Sequence, residues 1–328
     1  MAKRSSSALR IAQWVLAALV IGFAGRELAR QWQDVGPALR GLRIDWRLVA
    51  PSGVLVLATY LLLIEAWRAT LRVWAAPLPF ASAARIWFVS NLGKYVPGKV
   101  WQIAAMGAMA QREGVPAVAA IGSSLVVNLV NLVAGVVVIA VMAGDRIASA
   151  VGLETMSPAG DSARLWVVIL ATAGVAALAL VPYVIPRAAA VAGRVTGRPI
   201  AIPTVPPRAI WLAAAATVTS WIVYGIAFAL FAKGVSPAAT GNASAYIAVY
   251  TGSYLAGYVA LFAPGGVGVR EAVLVLAMPR FQLASAADAA AIAVASRLWL
   301  TVLEILPGLL MLRRRGGNTP VPGYSDDS

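Results

Sequence analysis

Two residue types are missing from this 328-residue chain altogether: it has no histidine and no cysteine. Their absence excludes disulfides, thiol nucleophiles and Ser-His-Asp triads, along with zinc and haem sites of the usual ligand types. Charge is scarce too. Asp, Glu, Lys and Arg make up 12% of the residues, against about 25% in a soluble domain. Acids are the scarcer sign, 13 against 27 basic residues, which leaves a net charge of +14. Lysine is scarcer still: only four of the basic residues are Lys, and the rest are Arg. Apolar residues fill the gap at 60%, a membrane composition. The positive balance invites a nucleic-acid reading, but the Arg residues stand at the ends of apolar stretches, as charges that orient membrane spans do. No nucleic-acid partner is expected, and no metal or cofactor.

A bilayer core of about 30 Å needs roughly 17–25 apolar residues per helix. Six stretches meet or approach that length: Leu9–Gly25, Val49–Ile64, Pro116–Met142, Leu165–Ile185, Ala209–Phe231 and Ala289–Leu312. Two further apolar regions are broken in the middle. Phe80–Gln111 is interrupted at Asn91-Leu-Gly-Lys-Tyr-Val-Pro-Gly-Lys99, and Ala243–Met278 at Pro264-Gly-Gly-Val-Gly-Val-Arg270. The first stretch follows Lys3-Arg4 but has no small-x-small cleavage site after it, so it reads as an uncleaved span. The Gly-, Pro-, Ser- and Asp-rich tail from Arg313 reads as a disordered cytoplasmic tail.

Charge decides how the broken regions cross. The loop from Ile185 to Ala209 holds Arg187, Arg194, Arg198 and Arg208 and no acid, which places it in the cytoplasm. Lys3, Arg4 and Arg10 place the N-terminus there, and Arg313, Arg314 and Arg315 the C-terminus. The loop from Ala143 to Arg164, with Asp145, Glu154 and Asp161, suits the other side. These assignments agree when each broken region crosses an even number of times, as a re-entrant hairpin. One loop, Arg26 to Arg47, runs against the rule, with five Arg and three acids on the outer side.

The expected fold is therefore an all-α polytopic membrane protein with about six full spans and two re-entrant broken-helix hairpins. Span, span, hairpin, span is followed by the same order in opposite orientation, so one transmembrane domain over 1–312 divides into repeat halves near 9–142 and 165–312. Pro97 lies 33 residues after Ile64, and Pro264 lies 33 after Phe231. The breaks themselves rhyme, Tyr95-Val-Pro-Gly-Lys-Val100 against Phe262-Ala-Pro-Gly-Gly-Val267. Inverted repeats whose broken helices meet near the midplane are a transporter architecture.

The segment from Gly93 to Lys99 nearly spells a nucleotide-binding loop. Val100 stands where that loop needs Ser or Thr, Pro97 removes an amide donor, and no strand precedes it. Two of the four lysines, Lys94 and Lys99, nevertheless lie in this one break. An ammonium suits a phosphate, and broken-helix amides add donors; equally, these lysines can snorkel to headgroups and fix the hairpin. In the second break Gly265, Gly266 and Gly268 let backbones approach closely, and Arg270-Glu271 opens the next arm, either as a structural pair or with Arg270 as a cavity charge. Arg297 and Glu304 lie seven residues apart on the last span and read as functional charges or as an ion pair bridging to the hairpins. Asn128 and Asn131 read as helix glue. Tyr246, Tyr250, Tyr254 and Tyr258 mark one helix face, for packing first and a cavity wall second.

With these motifs in place, the chain resembles the transmembrane region of lysylphosphatidylglycerol synthetases and the stand-alone flippase-like membrane proteins related to it. The resemblance rests on Asn91-Leu-Gly-Lys-Tyr-Val-Pro-Gly-Lys99 with Arg112, on Pro264-Gly-Gly-Val-Gly-Val-Arg-Glu271, and on Arg297 with Glu304, and it spans Leu9 to Leu312. It implies a region that moves lipid between leaflets, while a separate cytosolic domain performs aminoacyl transfer. Sixteen residues follow Leu312, so the expectation is the translocase part without the synthase, and no enzyme. It also implies possible partners, a membrane glycosyltransferase or a lipid-modifying enzyme.

Three functions are compatible with these residues. In the first, a lipid flippase of the bacterial cytoplasmic membrane, Asn91, Lys94, Tyr95, Lys99, Arg270 and Arg297 bind a phosphate-bearing headgroup on an anionic phospholipid, an aminoacylated lipid or a polyprenyl-linked glycan. Glu271 and Glu304 hold those cations or sense protons, and Gly93, Pro97, Gly98, Pro264, Gly265, Gly266 and Gly268 form the breaks. The alternative is a non-transporting membrane partner of a glycosyltransferase or lipid-modifying enzyme. Third is a membrane transferase using Glu271 or Glu304 as base, disfavoured because a neighbouring cation lowers a carboxylate's basicity.

Overall fold

The computed structural model describes residues 44–74, 77–95, 100–150, 162–196, 206–260 and 263–313. The expected span Leu9–Gly25, the residues Pro97, Gly98 and Lys99, and the tail beyond Arg313 lie outside the described residues. All the regular structure among the described residues is helical. Nine α-helices occur among them, in order: α1 Trp46–Val73, α2 Phe80–Asn91, α3 Val100–Arg112, α4 Ala117–Ala150, α5 Ser162–Thr196, α6 Pro207–Val235, α7 Ala243–Val259, α8 Val269–Arg280 and α9 Ala286–Arg313. A 3₁₀ turn, Leu92–Tyr95, continues from α2, and a second, Pro264–Gly266, separates α7 from α8.

Among the described residues, four helices are long and apolar enough to cross a membrane: Trp46–Val73, Ala117–Gly144, Pro207–Val235 and Ala286–Leu312. Helix α5 holds a shorter apolar stretch, Val168–Val184. Outward-facing Val54, Val136, Leu212 and Val302 are largely exposed, which suits a lipid rather than a water boundary. The broken regions are built differently. Helices α2, α3 and α8 have 12, 13 and 12 residues, so each reaches about 18–20 Å, well short of the bilayer core. The fourth arm, α7, is longer, with 17 residues, but the order long, shorter, break, shorter, long occurs twice, in α1–α4 and in α6–α9.

Local chemistry sets the ends. Asp45 caps α1 by accepting from the Arg47 amide at 2.9 Å, and its own amide donates to the Gly234 carbonyl at 2.8 Å. One residue therefore starts α1 and fastens it to the end of α6. Asn242 caps α7 through the Ala245 amide at 3.1 Å, and Pro207 opens α6, where its missing N–H costs nothing.

Lipid is as apolar as a protein interior, so these helices are held by close packing and buried hydrogen bonds rather than by expulsion of water. Gly225 of α6 lies against the Ile247 backbone of α7 with no room for a methyl group. Trp67 of α1 donates to Ser123 Oγ of α4 at 2.9 Å, and Trp221 of α6 donates to the Asn131 carbonyl of α4 at 3.1 Å. Both indoles are fully buried, where an unmet N–H is costly. Helix α4 is pinned in this way to both long partners, and α9 packs against arms of both broken regions, α2 and α8. The two 3₁₀ turns touch each other.

Candidate functional site

The second break is a backbone device. Gly265, Gly266 and Gly268 have φ of 59°, 71° and 82°, a region that side chains with a Cβ rarely enter. A Cβ on Gly266 would lie 2.9 Å from the Gly257 Cα, so α7 and the turn cross backbone to backbone. Glu271, in the first turn of α8, accepts from the Gly268 amide at 2.7 Å, where the helix dipole also favours a carboxylate. The same carboxylate stands 3.7 Å from Nε of Arg297, whose Nη1 donates to the Gly265 carbonyl at 3.0 Å. Arg297 thus reaches from α9 and braces the break, as in the bridging alternative for this residue.

The first break is held by side chains. Its arms also cross closely, since a Cβ on Gly93 would lie 2.8 Å from the Gln102 amide nitrogen. Gln102 Nε2 donates to Asn91 Oδ1 at 2.5 Å, tying α3 back to α2. Lys94 Nζ pairs with Glu304 Oε2 at 2.7 Å, and the Tyr60 hydroxyl donates to Glu304 Oε1 at 3.0 Å. Helix α9 therefore grips both breaks, with Glu304 on the first and Arg297 on the second.

Arg270 and Glu271 are neighbours in sequence but face different ways. Glu271 serves the brace just described. Arg270 is 7% exposed, and its guanidinium lies 4.6 Å from the ring centre of Tyr254 and 5.7 Å from that of Tyr250. Tyr250 stacks on Tyr224 at 5.8 Å, and Tyr254 meets Trp221 edge-on at 5.2 Å, so the rings under the cation are fixed. Such contacts are worth about 2 kcal/mol or more when desolvated. The Nε of Arg270 has no hydrogen-bond partner among the described residues.

These groups enclose a cavity of about 300 Å³ where the two breaks meet. Asn91 and Lys94 line it from the first break, Gly265, Gly266 and Arg270 from the second, and Glu304 from α9. One wall is aromatic, with Tyr60, Tyr224, Tyr250, Tyr254 and Tyr258. Gln102, Ser124, Asn128 and Asn131 add uncharged polar groups to the lining. Polar groups at membrane depth are tolerated where they line such a space. No group of three or more carboxylates converges anywhere among the described residues as a metal site would need.

Of the residues expected to form the site, Asn91, Lys94, Arg270 and Glu304 come together around this cavity, and Arg297 with Glu271 stands behind it. Only the backbone of Tyr95 and Pro264 is described, and Lys99 lies outside the described residues. Three of the four tyrosines on α7 line the cavity, as do Asn128 and Asn131, which the sequence alone places as helix glue. Tyr60 and Tyr224 had no place in the sequence reading. Their one signal is a hydroxyl inside a long apolar span, which must find a partner or a cavity.

None of the curated proteins compared matches the chain. The family model described as the lysylphosphatidylglycerol synthase TM region matches residues 10–308, which covers both broken regions and every residue of the cavity. This multi-pass, all-helical membrane protein belongs to the lysylphosphatidylglycerol synthase TM region family.

Proposed function

We propose that the chain is a flippase that carries a phosphate-bearing lipid across the bacterial cytoplasmic membrane. The two broken regions act as re-entrant hairpins of an inverted repeat, with both termini in the cytoplasm. The observation that carries this reading is the cavity where the breaks meet, lined by Lys94 and Arg270, one cation from each half of the chain. A phosphate taken into a membrane loses several kcal/mol of hydration unless cations replace it. Here both cations are already partly or wholly withdrawn from water and held, Lys94 by Glu304 and Arg270 by two tyrosine rings. The acyl or prenyl chains stay in lipid while the headgroup passes. Rocking of one half against the other, with the breaks as the contact, alternates access.

The test is reconstitution of the full chain in liposomes holding trace acyl-labelled phosphatidylglycerol, with a membrane-impermeant quencher reporting the leaflet. The expected result is faster loss of the protected fraction than in protein-free liposomes, and its abolition in Arg270→Gln. Equal rates with and without protein overturn the flippase reading and favour a non-transporting partner of a glycosyltransferase or lipid-modifying enzyme.

A further inference from the structure

A cavity of about 300 Å³ is at the small end for a drug-sized ligand, whose sites run from about 300 to 1,000 Å³. It has room for a headgroup, so the chains of a lipid bound there must leave it sideways. Two seams between the halves of the chain lead sideways from the breaks. Helices α3 and α7 both pack on α4, and α2 and α8 both pack on α9. Among the described residues no packed interface joins α3 to α7 or α2 to α8, so each seam runs along one long helix.

The two seams differ. Along α9, side chains cross to the breaks: Glu304 pairs with Lys94 at 2.7 Å, and Arg297 donates to the Gly265 carbonyl at 3.0 Å. Among the described residues Glu304 is the one member of α9 that lines the cavity, and the outward-facing Val302, Leu306 and Leu310 do not. Along α4 the cavity reaches the surface. Ile103 of α3, Leu125 of α4 and Tyr258 of α7 all line it, yet they are 37%, 53% and 37% exposed. Gly107 lies against Ile121, so these antiparallel helices bring Ile103 beside Leu125. Ile103 stands nine residues before the end of α3 at Arg112, and Leu125 eight after the start of α4 at Ala117, about 12–14 Å along either helix. In a hydrocarbon core about 30 Å thick, that is close to the middle. At this depth an apolar rim admits hydrocarbon and turns away charge. Leu63 and Met106 continue the apolar lining.

Resting on the transport reading above, we propose that the seam between α3 and α7 is the lateral mouth through which the lipid's chains reach the bilayer, with Ile103, Leu125 and Tyr258 as its rim. The headgroup lies at Lys94 and Arg270, and Glu304 and Arg297 keep the opposite seam shut.

The experiment is photolabelling of the purified full chain in detergent by phosphatidylglycerol carrying a diazirine near the head of one acyl chain, with the labelled residues mapped by mass spectrometry. The expected label falls around Ile103, Leu125 and Tyr258, at least threefold above the outward face of α9, and is lost in Arg270→Gln. In the liposome assay Leu125→Trp and Ile103→Trp, which plug the mouth from its lipid-facing side, should each slow movement of acyl-labelled phosphatidylglycerol at least fivefold. Leu306→Trp, on the outward face of α9, should leave it unchanged. Label that depends on Arg270 but falls along α9 overturns the mouth and leaves the transport reading standing, as does full-rate movement in both plugged variants. Label spread evenly over all exposed faces and unchanged in Arg270→Gln removes the lipid site itself, and both readings with it.

Discussion

Both breaks end one helix at a 3₁₀ turn before another helix begins, and in both a glycine brings two backbones together, Gly93 against Gln102 and Gly266 against Gly257. They are secured by opposite means. The first is closed by side chains: Gln102 to Asn91, and Lys94 to Glu304, which also accepts from Tyr60. The second is closed through its backbone, where three glycines adopt left-handed angles, Glu271 takes the Gly268 amide, and Arg297 takes the Gly265 carbonyl. A side-chain closure can be undone by rotamer changes, while a backbone closure keeps its shape and aims the helix that starts from it. Lys94 of the first break is therefore the adjustable cation, and Arg270 of the second the fixed one.

The sharpest way to break this comparison is Arg270→Gln. A fixed cation that holds the phosphate should cost about a hundredfold in lipid affinity when neutralised, equivalent to about 2.7 kcal/mol, measured by displacement of labelled phosphatidylglycerol. Arg270→Lys should recover little of it, because an ammonium cannot lie across two rings. A loss under threefold would place the headgroup elsewhere.

Next in size is Gly266→Ala, which combines a forbidden φ with collision against Gly257 and should lower stability by about 2–3 kcal/mol. Gly93→Ala meets only the collision, so its thermal midpoint should fall less, and the gap between the two variants reports the backbone strain of the second break. Equal shifts would mean that the breaks are not built differently.

Arg297→Gln should cost about 2 kcal/mol by removing a brace on a buried carbonyl and carboxylate. Hydrogen exchange is expected to rise over residues 263–272 and to stay unchanged around Lys94. Exchange that rises equally at both breaks would show that α9 acts as one clamp rather than two. The smallest effect belongs to Lys94→Arg. It keeps the charge and should change affinity by less than threefold, within about 0.7 kcal/mol, because an adjustable cation tolerates a longer stem. A tenfold loss there would make the first break as rigid as the second.

Much of this layout is legible in the sequence. The breaks show as Pro and Gly inside apolar runs, and three of the four arms are too short to span, a consequence of the rise of a helix alone. The intramembrane charges stand out because they are so few. The sequence left open which neighbour does what. Arg270 and Glu271 are adjacent, and only the turn of α8 sends one to the tyrosines and the other to Arg297. The Tyr60–Glu304 bond joins residues 244 apart, a pairing that no local period encodes. Asn128 and Asn131 read as glue because an amide in a span is equally consistent with a neighbouring helix and with a cavity; the backbone carbonyl of Asn131 does take the Trp221 indole, while its side chain faces the open space.

Glu304 occupies Lys94 as an incoming phosphate would, so the chain carries its own competitor. Under the proposed function, a headgroup that reaches Lys94 exchanges with Glu304 instead of adding to a bare charge. What it gains is only the difference between two anions. Such an exchange holds affinity down and speeds departure, and a carrier must let go of its cargo as readily as it takes it up.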